Sequence, residues 1–197
     1  MNTVLKSFFM MLILLNINNC VVIGIATTAT TGAMIADERS VGNIIDDKVI
    51  ATKIRHEYVK NNVDNSLRGI SLEIYEGRVI LIGYTTDIEY KYEAEKLAWL
   101  VRGVKEVIND VVISKENEAS LPKDMWISTK LRTKFLVNKD IRSVNYKMMV
   151  YDKVIYLLGL AETQKELETA LAIAGEIKGV VKVKNYILVK SDTRRGN

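Results

Sequence analysis

The sequence predicts an α+β fold of two tandem α-β-β-α-β domains, each a three-stranded mixed sheet with two helices packed on one face. Three observations predict it. The chain repeats itself: "YEGRVILIG" (75–83) matches "YDKVIYLLG" (151–159), and "AEKLAWLVRGVKEVIND" (94–110) matches "ALAIAGEIKGVVKVKNY" (170–186), both at a spacing of 76. Upstream of each copy, apolar residues recur at helical intervals along one face. Between the helical stretches lie short runs of β-branched and apolar residues broken by turn residues.

The elements follow in order. "ATKIRHEY" (51–58) matches "STKLRTKF" (128–135) at a spacing of 77, so the copies differ by a one-residue indel. Ile50, Ile54 and Tyr58 mark the buried stripe of the first helix, and Ile127, Leu131 and Phe135 that of its duplicate. Two strands come next, joined by a turn at Glu76-Gly77 or Asp152-Lys153, with Gly83 and Gly159 expected to end the second. A long helix opens with a capping box at Thr86-x-x-Glu89 or Thr163-x-x-Glu166. Its core stripe is Ala94, Leu97, Ala98 and Val101, or Ala170, Ile173, Ala174 and Ile177. Gly103 and Gly179 suit the left-handed position after that helix. A last strand follows, Val107–Ile113 or Val183–Val189, reached by a right-handed crossover. At about 70 residues each copy is near the lower size for an independent core, so the two are expected to support each other.

Composition removes whole classes of chemistry. The chain has one His, His56, and one Cys, Cys20, which excludes a Cys/His metal site, a disulfide framework and a nucleophile–imidazole pair. No catalytic residue, metal, cofactor or small-molecule substrate is expected. His56, between charged neighbours, reads as a surface residue, and Trp99, inside the long helix of copy one, as core or interface. Charge is split along the chain. Residues 122–197 carry 15 Lys/Arg against 8 Asp/Glu, whereas residues 1–121 carry 13 against 16. The split points to only one half facing an anionic partner, and nucleic acid and an anionic membrane surface both fit the sign. Nucleic acid is not expected, because the repeats lack a phosphate loop or an aromatic stacking platform.

The N-terminus supplies a compartment. Lys6 precedes an apolar run from Phe8 to Leu15, which has signal-peptide length and is too short to span a bilayer alone. The hydrophobic run resumes as "VVIGIA" after Cys20, which leaves an uncleaved anchor open. The cysteine lies directly after the apolar run, where bacterial lipoproteins carry their lipidated residue. Asn19 stands before it where that signal has a small residue. Residues 21–46 read as a tether, spanning roughly 30 Å if disordered.

With the repeat in place, the copies resemble BON domains. The marks are G-x-V-x-L-x-G at 77–83, a weaker copy ending in Gly159, and G-V-x-x-V-x-N at 103–109 and 179–185. A leader, a cysteine, "DERSVG" and two such domains together resemble the dual-BON outer-membrane lipoproteins of Gram-negative bacteria. The second copy departs from the motif in having Lys153 where the first has Gly77. The resulting division is a signal peptide (1–19), a lipidated N-terminus and tether (20–46), BON domain one (47–114), a linker (115–123), BON domain two (124–190) and a tail (191–197). The resemblance implies a non-catalytic protein that faces the periplasm from the outer membrane, associates with phospholipid and supports envelope integrity.

Comparison of the duplicated helices locates the contact. Trp126, Lys130 and Lys134 stand where copy one has Val49, Lys53 and Glu57. An indole beside two ammonium groups suits the interface of an anionic phospholipid membrane. Trp126 has a second reading, packing against the neighbouring domain or the linker near Leu121. The alternative function is a protein-interaction or assembly factor for envelope machinery, acting through an exposed sheet or its edges.

Overall fold

A computed structural model describes residues 41–114 and 121–192. The leader, Cys20 and the tether up to residue 40 lie outside the described residues, as do most of the linker and the end of the tail.

Helix α1 spans Val41–Lys60. Ile50, Ile54 and Tyr58 are buried along one face, as their spacing requires, and the Tyr58 hydroxyl donates to the carbonyl of Ala94 at 3.1 Å. Strand β1 (Ile70–Tyr75) runs antiparallel to β2 (Arg78–Thr85), and β3 (Glu106–Ile113) lies parallel to β2 on its other side. Helix α2 (Ile88–Trp99) makes the crossover. The second copy repeats the plan with α3 (Leu121–Val137), β4 (Tyr146–Tyr151), β5 (Val154–Ala161), α4 (Gln164–Gly175) and β6 (Lys182–Val189). Each sheet is mixed, ordered β1-β2-β3 and β4-β5-β6. Two cores join helices to sheets. One gathers Ile54, Tyr58, Val79, Leu81, Ala94 and Leu97, the other Leu131, Phe135, Ile155, Leu157, Ala170 and Ala174.

Several details differ from the expectations above. Gly83 and Gly159 do not end their strands, which run two residues further. They sit where the neighbouring backbone comes closest: a Cβ at Gly159 would overlap the carbonyl oxygen of Asn145. Asp87, not Thr86, caps α2, accepting from Glu89 N at 2.9 Å. Asp87 is one residue nearer the helix, and aspartate is the stronger cap. Thr163 does cap α4, but the Glu166 carboxylate accepts from the backbone of Glu162 and Arg142 instead of closing back on Thr163. The helices end at Trp99 and Gly175, so Gly103 and Gly179, left-handed as expected, belong to the turn that follows. Leu121 and Pro122 lie in the first turn of α3, where proline's missing N–H costs nothing.

Two devices were not legible in advance. Asp47 and Asp124 are buried, and each accepts both N–H groups of its hairpin turn. Glu76 and Gly77 donate to Asp47 at 2.9 Å, and Asp152 and Lys153 to Asp124 at 2.8 Å. The motif asparagines guard sheet edges. Asn109 on edge strand β3 donates to Lys91 O at 2.9 Å and accepts from Val111 N, and Asn185 on β6 accepts from Ile187 N.

The sheet faces turned away from the helices pack on each other. Tyr75, Ile80 and Ile82 meet Tyr156, Leu158, Leu160 and Leu188 in a third core, giving an α/β/β/α stack. Tyr84 stacks on Tyr151 with ring centroids 6.5 Å apart. Asp110 binds Lys184 at 2.5 Å and the Tyr186 hydroxyl, and Arg78 donates to Tyr186 O at 2.8 Å. Mutual support between the copies therefore has a physical form. It also removes the sheet faces as a free surface, one of the routes considered for a protein partner.

Candidate functional site: an aromatic and cationic cleft at the tip of the second repeat

Helix α3 sets the site through its own periodicity. Asp124, Ile127, Leu131 and Phe135 turn inward. That leaves Trp126 and Met125 outward, 46% and 70% exposed. Lys130 Nζ lies 5.9 Å from the centroid of the Trp126 ring, within cation–π range. Lys134, two turns from Trp126, instead reaches Glu176 at 3.7 Å. The structure thus groups Trp126 with Lys130 and places Lys134 in an exposed ion pair.

Two further segments reach the same tip. Asp124 fastens the Asp152–Lys153 turn to the start of α3. The Val181 N–H donates to Lys153 O at 2.9 Å and draws in the loop after α4. Together they enclose a cleft of about 340 Å³ lined by Pro122, Lys123, Trp126, Ile127, Lys153, Lys178 and Gly179. Its floor is apolar and its charged lining side chains are three lysines. Lys123, Lys153 and Lys178 come from three separate segments, so no local pattern in the sequence joins them.

The first repeat provides an internal control. Its equivalent cleft, about 620 Å³, carries Asp46, Asp47 and Glu76 against Lys53, Arg102 and Lys105, a balanced set with no aromatic residue. Asp46 becomes Lys123, Val49 becomes Trp126 and Gly77 becomes Lys153 at matching positions. These three changes add two cations and an indole, and Lys105 becomes Val181, which removes one cation.

The other tryptophan is not core. Trp99 is half exposed on the outer face of α2, in line with exposed Ile88 and Tyr92. It lies at the helix's last residue, where the inward face is already filled by Ala94, Leu97 and Ala98. His56 is exposed, as expected. Among the described residues, no group of three or more His, Cys, Asp or Glu could hold a metal, and no helix is long and apolar enough to cross a membrane.

The family model described as the BON domain matches residues 46–115 and 123–191, one match per repeat. The chain belongs to the BON-domain family. An Anaplasma centrale protein named "Uncharacterized protein in gshII 5'region" is 34% identical over 154 residues, covering 77% of this chain and 99% of the relative. The Haemophilus influenzae "Outer membrane lipoprotein DolP" is 31% identical over 168 residues, covering 85% of this chain and 86% of the relative. Among solved structures, the C-terminal domain of CdsD from the type III secretion system of Chlamydia trachomatis aligns at 12% identity and a TM-score of 0.29. That alignment covers 71% of this chain and 64% of that one. The tandem BON architecture and the relationship to an envelope lipoprotein thus stand on the sequence relatives. The cleft belongs to the second BON domain.

Proposed function

We propose that this protein is a non-catalytic envelope lipoprotein that touches anionic phospholipid through its second BON domain and supports outer-membrane integrity. In this reading it is anchored at Cys20 and faces the periplasm. The observation that carries the reading is the contrast between matched tips: charge-balanced in the first domain, aromatic and cationic in the second. An exposed indole flanked by ammonium groups sits at the headgroup level of a bilayer, and exposed Leu121 and Met125 add apolar contact beside it. Each lysine near an anionic surface contributes about 1 kcal/mol, so three or four make a weak, reversible contact. A lipid-anchored tether would raise the local concentration into the millimolar range, where weak contact suffices.

Co-sedimentation tests it. The full chain carrying Cys20→Ser should pellet with vesicles containing phosphatidylglycerol and much less with pure phosphatidylcholine. Trp126→Ala and Lys130→Glu should each weaken binding, while Val49→Ala and Lys53→Glu should not. Equal losses from both pairs would remove the assignment to the second domain. One observation favours a second reading, a protein partner on the first domain. Ile88, Tyr92 and Trp99 form an exposed apolar line on α2. Absence of vesicle binding, with capture of a defined envelope protein lost in Trp99→Ala and kept in Trp126→Ala, would support that reading.

A further inference from the structure

Resting on the membrane reading, we infer that Lys153 is a headgroup-binding residue, held in a strained turn so that it completes a phosphate-contacting set with Lys123 and Lys178. The starting point is a mismatch between turn and residue. Both hairpins turn through two left-handed positions, a geometry that favours glycine at the second. The first domain has Gly77 there at φ +79°, and the second has Lys153 at φ +61°. A side chain in this region brings its Cβ against backbone carbonyl, and the residues that tolerate it best are Gly, Asn and Asp.

Local packing does not account for the lysine. The Lys153 ammonium rests 3.6 Å from Asp152, a neighbouring and partly exposed carboxylate, and such pairs contribute little. What the residue has instead is position. It lines the cleft with Trp126 and Lys123 from the start of α3 and Lys178 from the loop after α4. The two domains also differ in the room they leave. A Cβ at Gly77 would meet Gly103 O at 2.7 Å, so the first domain shuts a side chain out of this place. At the facing glycine, a Cβ at Gly103 would meet Ile50 at 3.0 Å, whereas one at the matching Gly179 would meet nothing within 4 Å. Left-handed strain at a non-glycine residue persists where surrounding structure and function hold it.

The chemistry of the lining selects the occupant. Three ammonium groups suit a phosphate, and the floor of Pro122, Trp126 and Ile127 suits the apolar glycerol and acyl region next to it. The ligand is therefore an anionic phospholipid presented by a bilayer, not a free anion. On contact the Lys153 ammonium would leave Asp152 for the headgroup, with no bond made or broken.

The test pairs binding with stability, because the two should move apart. The full chain carrying Cys20→Ser is titrated with phosphatidylglycerol–phosphatidylcholine vesicles and with pure phosphatidylcholine, and its thermal melt is recorded alone. Lys153→Gly should keep a Tm equal to or above that of the parent, because glycine relieves the turn. Its affinity for the anionic vesicles should fall about fivefold, the effect of one lysine at such a surface. Lys153→Arg should keep both properties, and inorganic phosphate at constant ionic strength should not displace the protein. Unchanged binding of Lys153→Gly, with binding lost in Trp126→Ala, overturns this inference and leaves the membrane reading standing. A fall in Tm with Lys153→Gly would make the lysine structural and also overturn it. Displacement by inorganic phosphate would overturn the choice of lipid. If the parent shows no preference for anionic vesicles, the membrane reading itself fails.

Discussion

Asp124 shows how one side chain ties the fold to the site. Its carboxylate takes both N–H groups of the Asp152–Lys153 turn from a buried position, so the turn's two donors need no water. Asp124→Ala would strand both donors and is expected to cost about 2–4 kcal/mol, measured by urea unfolding. Asp124→Asn keeps one acceptor oxygen and should lose less. The cleft should loosen too, since Lys153 and Trp126 are positioned through this residue. None of this was legible in the sequence. Asp124 reads as an ordinary acidic residue in a helix's first turn, and nothing local says that a hairpin nearly thirty residues away points its N–H groups there. The repeat held a usable signal: Asp47 and Asp124 occupy matching positions at the same 77-residue offset as the helices. Trp126 and Lys130 were legible because they share a helix. Lys123, Lys153 and Lys178 were not, because only the folded chain brings them together.

Secondary elements were read best where period decides and worst where caps and edges decide. The four-residue stripes of α1 and α3 are buried as their spacing demands. The start of α2 shifted by one residue because two adjacent side chains, Thr86 and Asp87, competed for the cap. Of the two readings of Trp99, core or interface, the core one fails, because Ala94, Leu97 and Ala98 already close the sheet contact. The asparagine of the G-V-x-x-V-x-N motif was noticed as a marker without its reason. On an edge strand its side-chain oxygen accepts the N–H of Val111, which would otherwise be open to another strand, while its amide ties the strand to Lys91 O of α2. Asn109→Ala should therefore do two things. Stability should drop by about 1–2 kcal/mol, and sedimentation velocity should show concentration-dependent self-association.

At the scale of the whole molecule, the two domains form one stack through a shared third core. Its polar margin has a telling symmetry: Asp110 and Tyr186, which occupy equivalent positions in the two repeats, contact each other. That is the arrangement of a two-fold dimer written into one chain. The Tyr84–Tyr151 stack sets the turn end of the second domain beside the far end of the first, so the two matched tips are not side by side. One tip can meet a surface without the other. The tyrosines of this core and its neighbours also set an alkaline limit. Burial pushes Tyr156 up to about 12, and burial raises Tyr58, Tyr146 and Tyr186 further, helped at Tyr186 by its bond to Asp110. Unfolded tyrosines lose their protons near pH 10 while the folded ones keep theirs, so the unfolded state binds fewer protons above that point. The tyrosine contribution to stability should accordingly be constant below about pH 10 and fall as pH rises from there through 12, seen as a declining urea midpoint. If the second domain's tip meets the membrane, as proposed, the two tryptophans report it directly. With Trp99→Phe, Trp126 reports alone; with Trp126→Phe, Trp99 does. Adding anionic vesicles that carry brominated acyl chains should blue-shift and quench Trp126 and leave Trp99 unchanged. Quenching of Trp99 with Trp126 unaffected would show that the first domain, not the second, meets the membrane.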